Sequence, residues 1–70
     1  MLYQRVSSSC IAVVGYDLSD KTLAVRFHGG TEYRYTGVPL ETYQALLAAD
    51  SIGKYFNADV RDTYPHQRAQ

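Results

Sequence analysis

Cysteine and histidine are scarce in this chain. Cys10 stands alone among 70 residues, so no internal disulfide can form, and with only two histidines at scattered positions it offers no zinc-ligand spacing. These scarcities point to a reduced, cytoplasmic protein with neither metal nor cofactor. Long apolar runs are missing too: nothing approaches the roughly 18 residues of a membrane span, and positions 1–9 carry no secretory core. The expectation is a chain that is neither exported nor membrane-embedded. Net charge is also absent, because seven Lys and Arg balance seven Asp and Glu. A dedicated nucleic-acid domain is usually basic, so this balance disfavours strong nonspecific DNA binding. It also removes the self-repulsion that keeps small proteins monomeric, which leaves self-association open.

What is present is ordinary globular material, 46% apolar and 20% charged. A chain this short forms one domain, here 1–70, and buries only about 60% of its unfolded surface. Residues 10–17, rich in β-branched and aromatic types, read as a first strand. After the turn chemistry of Asp17-Leu-Ser-Asp-Lys21, residues 22–28 alternate cleanly and form a second. Gly29-Gly30 supplies a tight turn, and residues 31–36 form a third strand with Tyr33 and Tyr35 on one face. A three-residue loop, 29–31, keeps the faces matched by pairing Phe27 with Tyr33 and Val25 with Tyr35; the first turn then pairs Val13 with Val25 and Ile11 with Phe27. The inner face is Ile11, Val13, Leu23, Val25, Phe27, Tyr33 and Tyr35.

Pro39 starts a helix, 39–49, with Glu41 reaching back to its first amides and Leu40, Tyr43, Leu46 and Leu47 closing the core. Asp50 or Ser51 caps a shorter second helix carrying Ile52, Tyr55, Phe56 and Val60. The fold class is therefore α+β, a three-stranded antiparallel β-meander covered on one face by a helix, with a second short C-terminal helix. Order is expected over about 6–64, with 1–9 a lead-in and 65–70 a flexible tail.

Several residues together resemble a known family. Ser8-Ser9, Gly15-Tyr16-Asp17, Tyr33-Arg34-Tyr35, Val38-Pro39, Tyr43, Leu46, Ser51-x-Gly53, Tyr55-Phe56-Asn57 and Arg61 are similar in kind and order to the KTSC domain. That small domain is found at the C-terminus of some lysyl-tRNA synthetases and as a free-standing bacterial protein. The resemblance implies RNA as a ligand of a small bacterial or phage-borne binding module.

The residues themselves offer two surfaces. On the outer sheet face the expected register sets Arg26 directly opposite Arg34, a like-charge pair that an anionic phosphate would relieve, and Tyr16 on the same face could stack a base. Lys54, Asn57 and Arg61, spaced by three and four residues, form a second basic group on the second helix. The nucleic-acid hypothesis rests on Arg26, Arg34, Tyr16, Lys54 and Arg61. The blander reading, which the sequence favours, is that Glu32 neutralises the arginines and the face is merely solvated. The rings of Tyr33 and Tyr35 are read as core, and Asn57 as a helix-end or backbone partner.

The alternative function is protein interaction or homodimerisation through an apolar outer strip of the first strand, Ala12, Val14 and Tyr16. Catalysis is not expected. The same register lines up Cys10, His28 and Glu32, but two of them sit at strand ends, and no glycine-rich oxyanion turn adjoins the cysteine.

Overall fold

The computed structural model describes residues 2–69. Five strands make one antiparallel sheet in chain order: β1 (Leu2–Arg5), β2 (Ile11–Asp17), β3 (Thr22–Phe27), β4 (Glu32–Tyr35) and β5 (His66–Arg68). Helix α1 (Leu40–Ala48) and the short α2 (Ile52–Tyr55), which widens into a π-helical turn at Phe56–Val60, cover one face. The fold is α+β with two helices, and its sheet has five strands rather than three.

The two additional strands arise where the sequence suggests a lead-in and a flexible tail. All seven of their residues are exposed, so no buried apolar stripe announces them. Ladder bonds hold them instead. Val6 N–H donates to the Ala12 carbonyl at 3.2 Å, and β5 is pinned at both ends, by Thr36 N–H to the Pro65 carbonyl at 3.0 Å and Ala69 N–H to the Glu32 carbonyl at 2.7 Å. Such pairing satisfies backbone groups that a free tail would leave to water.

The β2–β3 turn is built by Asp17, whose Oδ1 accepts from the backbone amides of Ser19 and Asp20 and from the Ser19 hydroxyl at 2.7 Å. In the β3–β4 turn Phe27 N–H donates to the Thr31 carbonyl at 2.9 Å, so the three-residue loop is 28–30 rather than 29–31. Gly30 takes the positive φ, 97°, that this loop requires. The consequence is a register two residues away from the expected one: Val25 faces Tyr33, Leu23 faces Tyr35, and Arg26 faces Glu32 rather than Arg34. A two-residue shift preserves the faces and changes every partner.

A larger correction lies in β2. Ile11 is opposite Phe27 as expected, but the register then slips, because Ala12 has no counterpart on β3 and Val13 pairs with Arg26. This β-bulge reverses the alternation that follows it. Val14, at 0% exposure, and Tyr16, at 7%, point into the core; Val13, expected inside, is only half-buried on the other face. Tyr16 stacks on Tyr43 with ring centroids 4.8 Å apart and planes within 10°, and its hydroxyl donates to the Val38 carbonyl at 2.6 Å.

The helices complete this core. Pro39 stands just before α1, where its carbonyl accepts from Thr42 N–H at 3.0 Å. Glu41, in the first turn, makes no cap bond, and Leu40 is exposed; the inward stripe is Tyr43, Leu46 and Leu47. Of the two candidate caps for α2 it is Ser51 that acts, its side chain accepting from Lys54 N–H at 3.3 Å. Ile52, Phe56 and Val60 are buried below it, and the π-turn closes with Arg61 N–H on the Phe56 carbonyl at 2.9 Å.

The inward position of Val14 is directly testable. Val14→Lys would place an ammonium in a dry core and remove about 3 kcal/mol or more, a large part of a small domain's stability. Thermal unfolding followed by circular dichroism should show the transition lost or strongly lowered. A melting temperature close to the parent's would return Val14 to an exposed face.

Candidate functional site

The uncovered face of the sheet is organised as two rows running across the strands. One row is Arg5, Val13, Arg26 and Glu32; the next is Tyr3, Gly15, Ala24, Arg34 and Gln67. Gly15 is what allows the second row to close. A Cβ there would stand 2.9 Å from Cδ2 of Tyr3, so only glycine lets the tyrosine ring lie flat on β2. Ala24 beside it is fully buried although it belongs to the open face.

Glu32 is the buried carboxylate of this face, 3% exposed. Its Oε1 accepts from Arg26 Nε at 3.2 Å and Nη2 at 2.9 Å; its Oε2 accepts from Arg34 Nε at 3.3 Å and from the Tyr3 hydroxyl at 3.2 Å. The Arg26 guanidinium also sits 5.9 Å from the centre of the Tyr3 ring. Burial pushes the Glu32 carboxyl upward, but the hydrogen bonds from Arg26, Arg34 and Tyr3 outweigh that and hold it below the usual carboxylate range. Glu32 thus neutralises one of the two arginine charges, where the blander reading has it neutralise the pair. Both arginine side chains nevertheless stay about half exposed, at 45% and 50%; Arg34 Nη2 donates to the Tyr3 hydroxyl at 3.5 Å, and each guanidinium keeps donors that Glu32 does not use.

The other sequence-derived candidates lie elsewhere. Tyr16 is in the core beneath Tyr43, and no base can reach its ring. Its expected place on the open face is filled by Tyr3, which together with Arg5 escaped notice because positions 1–9 read as a lead-in. The alternation in Leu-Tyr-Gln-Arg-Val, bounded by three serines, was the available signal. The proposed dimer strip of Ala12, Val14 and Tyr16 does not exist as a surface, since the bulge sends two of its three members inward.

Lys54 and Arg61 sit on the helical side, away from Arg26 and Arg34. Lys54 lines a small hollow with Ser8, Cys10 and Asn57. Arg61 lines a different one with Asn57 and a set of aromatic rings. Cys10, His28 and Glu32 are not assembled into a relay: the His28 ring nitrogen Nε2 contacts the Ser8 carbonyl at 2.8 Å, and Glu32 is held by the arginines. Among the described residues no group of three or more His, Cys, Asp or Glu could hold a metal, and no helix is long and apolar enough to cross a membrane.

The Glu32 clamp predicts a pH signature. Because its folded-state value is depressed, its contribution is complete above its ordinary value of 4.5 and is lost as pH falls through the folded value. Glu32→Gln should cost about 1–3 kcal/mol at neutral pH, discounted for the half-exposed partners, and should flatten the acid limb of the stability curve. Asp17, lowered by the Ser19 hydroxyl, keeps part of that limb. Urea melts of both proteins between pH 3 and 7 read this, and parallel acid limbs would remove Glu32 from the account.

A solved structure shares this architecture. A crystal structure of a KTSC domain protein from Yersinia pestis superposes with a TM-score of 0.92 at 31% identity, covering 99% of this chain and 97% of that one. A Tsukamurella paurometabola protein is 44% identical over 61 residues, 87% of this chain and 91% of that protein. One from Stutzerimonas stutzeri is 48% identical over 52 residues, covering 74% of this chain and 73% of its own. The KTSC domain model itself matches residues 7–64, the segment between the two exposed edge strands. With that match across most of its length, and with a solved domain of the same type covering 99% of it, the chain belongs to the KTSC domain family.

Proposed function

We propose that this protein is a non-enzymatic binding module that takes single-stranded RNA on the open face of its sheet. The observation that carries the reading is the concentration of charge there. Arg5, Arg26 and Arg34 lie on that face, with Glu32 between two of them and Asp17 at the end of β2 on the same side, although the chain as a whole is neutral. Glu32 acts less as an opposing charge than as a brace. By engaging the inner donors of both guanidiniums it fixes their planes, so that the outer donors meet a phosphate already oriented. Tyr3, 44% exposed, supplies a ring on which a base can stack.

Sheet faces that combine arginines with an exposed aromatic suit single strands because the backbone is held by charge and the bases by stacking. Catalysis finds less support, since the acid, thiol and imidazole closest to such a role are each engaged or apart.

The test is titration of a mixed single-stranded RNA into isotope-labelled protein at low and moderate salt, following amide shifts. Shifts should cluster at Tyr3, Arg5, Arg26 and Arg34 and fade with salt. Replacing both Arg26 and Arg34 by Ala should weaken binding and lower the salt slope by about 0.7 for each phosphate no longer held. Arg5→Ala, which leaves the Glu32 clamp intact, should do the same to a smaller degree without altering the melt. Unchanged affinity in both variants would overturn the assignment.

A further inference from the structure

On the helical side, where β3, β4 and β5 meet the π-turn, five rings form one continuous surface. Phe27 packs edge-on to Tyr33 and Phe56, Tyr35 packs edge-on to Phe56, and the His66 ring lies 5.1 Å from Tyr35 and 5.7 Å from Tyr33. They line an open groove of about 440 Å³ whose opposite rim is Asn57, Arg61 and Asp62. That volume lies in the range of small-molecule sites.

Two features set this groove apart from ordinary core. Tyr35 is 3% exposed, yet its hydroxyl has no hydrogen-bond partner among the described residues; since none of their fully buried side-chain oxygens or nitrogens lacks a partner, this hydroxyl keeps some accessible surface, and Tyr35 lines the groove. Arg61 forms no ion pair among those residues. An aromatic wall, a sheltered hydroxyl and an uncommitted cation are complementary to a flat, hydrogen-bonding ring that carries an anion. An aliphatic ligand would leave the hydroxyl unmatched, and a simple anion would leave the rings unused.

We infer that this groove binds one nucleotide, its base against Tyr33 and His66 and its phosphate on Arg61. The Tyr35 hydroxyl and the Asn57 amide meet the base edge, and the Asp62 carboxylate accepts from an exocyclic amino group. Burial, with the nearby Tyr33 and Asp62, pushes the Tyr35 hydroxyl above its ordinary value against the pull of Arg61, so it stays a donor at neutral pH. The Asp62 contact favours bases that carry such an amine, adenine and cytosine among them, over uracil, which has none. This deepens, and rests on, the RNA reading. His66 also lines a hollow on the open face with Arg34, Thr36 and Gln67, so the three-residue β5 is all that separates the two sites. A strand held by Arg34 rounds that edge and places one base in the groove.

The experiment titrates 5′-AMP, 5′-CMP and 5′-UMP, and separately a mixed single-stranded RNA, into labelled protein and into Arg61→Ala, Tyr35→Phe, Asp62→Asn and the Arg26→Ala/Arg34→Ala double variant. AMP and CMP should shift amides at Tyr33, Asn57 and His66 and bind about fivefold or more tighter than UMP. Arg61→Ala should weaken all three nucleotides, and Asp62→Asn should erase the preference. RNA binding that depends on Arg26 and Arg34 but ignores Arg61 and Tyr35 would overturn the groove and leave the RNA reading standing. Nucleotide binding in the groove without any RNA binding would keep the groove as a mononucleotide site and remove the RNA reading. Absence of both overturns both.

Discussion

One extra residue in β2 governs most of what this domain presents to its surroundings. Ala12 has no partner on β3, and the bulge it makes exchanges the two faces of everything after it. Val14 and Tyr16 turn inward, where Tyr16 stacks on Tyr43 and ties the sheet to the α1 approach through the Val38 carbonyl. Gly15 turns outward and leaves a shallow place in which the Tyr3 ring can lie. Without the slip, an apolar strip would face solvent and the tyrosine of β1 would have nowhere to settle.

The open face follows from that placement. Tyr3 lies against β2, its hydroxyl reaches Glu32, and Glu32 in turn gathers Arg26 and Arg34. The carboxylate is buried by the very groups that neutralise it. A charge so covered is stable only while its hydrogen bonds are intact, which makes the arrangement stiff. In the proposed RNA reading that stiffness would aid recognition, because a guanidinium already oriented loses less freedom when it meets a phosphate. The opposite side is built on another principle. There the Tyr-Arg-Tyr alternation of β4 sends two rings inward, and the π-turn and β5 supply Phe56 and His66 to extend them into an aromatic wall with a polar rim.

Much of the architecture is legible locally. The alternation of 22–28 and 31–36 assigns the core faces of β3 and β4 correctly, Ser51 sits where a cap is needed, and the spacing of Ile52, Phe56 and Val60 marks the buried side of the second helix. The edge strands are not legible in the same way. Their residues are all exposed and carry no apolar core stripe, and only the neighbouring ladder makes β1 and β5 strands at all. Of the expected nucleic-acid residues, Arg26 and Arg34 share the open face, Arg61 belongs to the groove, Lys54 lies apart and Tyr16 is lost to the core; Tyr3 and Arg5 join from the N-terminal segment.

Taken alone, the amino-acid order determines the elements, their periodicity and the parity of each face, because these depend on side chains within a few residues of one another. It also carries the ordered motifs that mark the KTSC family over residues 7–64. Register, the bulge at Ala12 and the recruitment of the two chain ends were decided by the tertiary structure. Each depends on which distant backbone groups find partners and which rings fit over which glycine, and those choices are settled only when the strands meet.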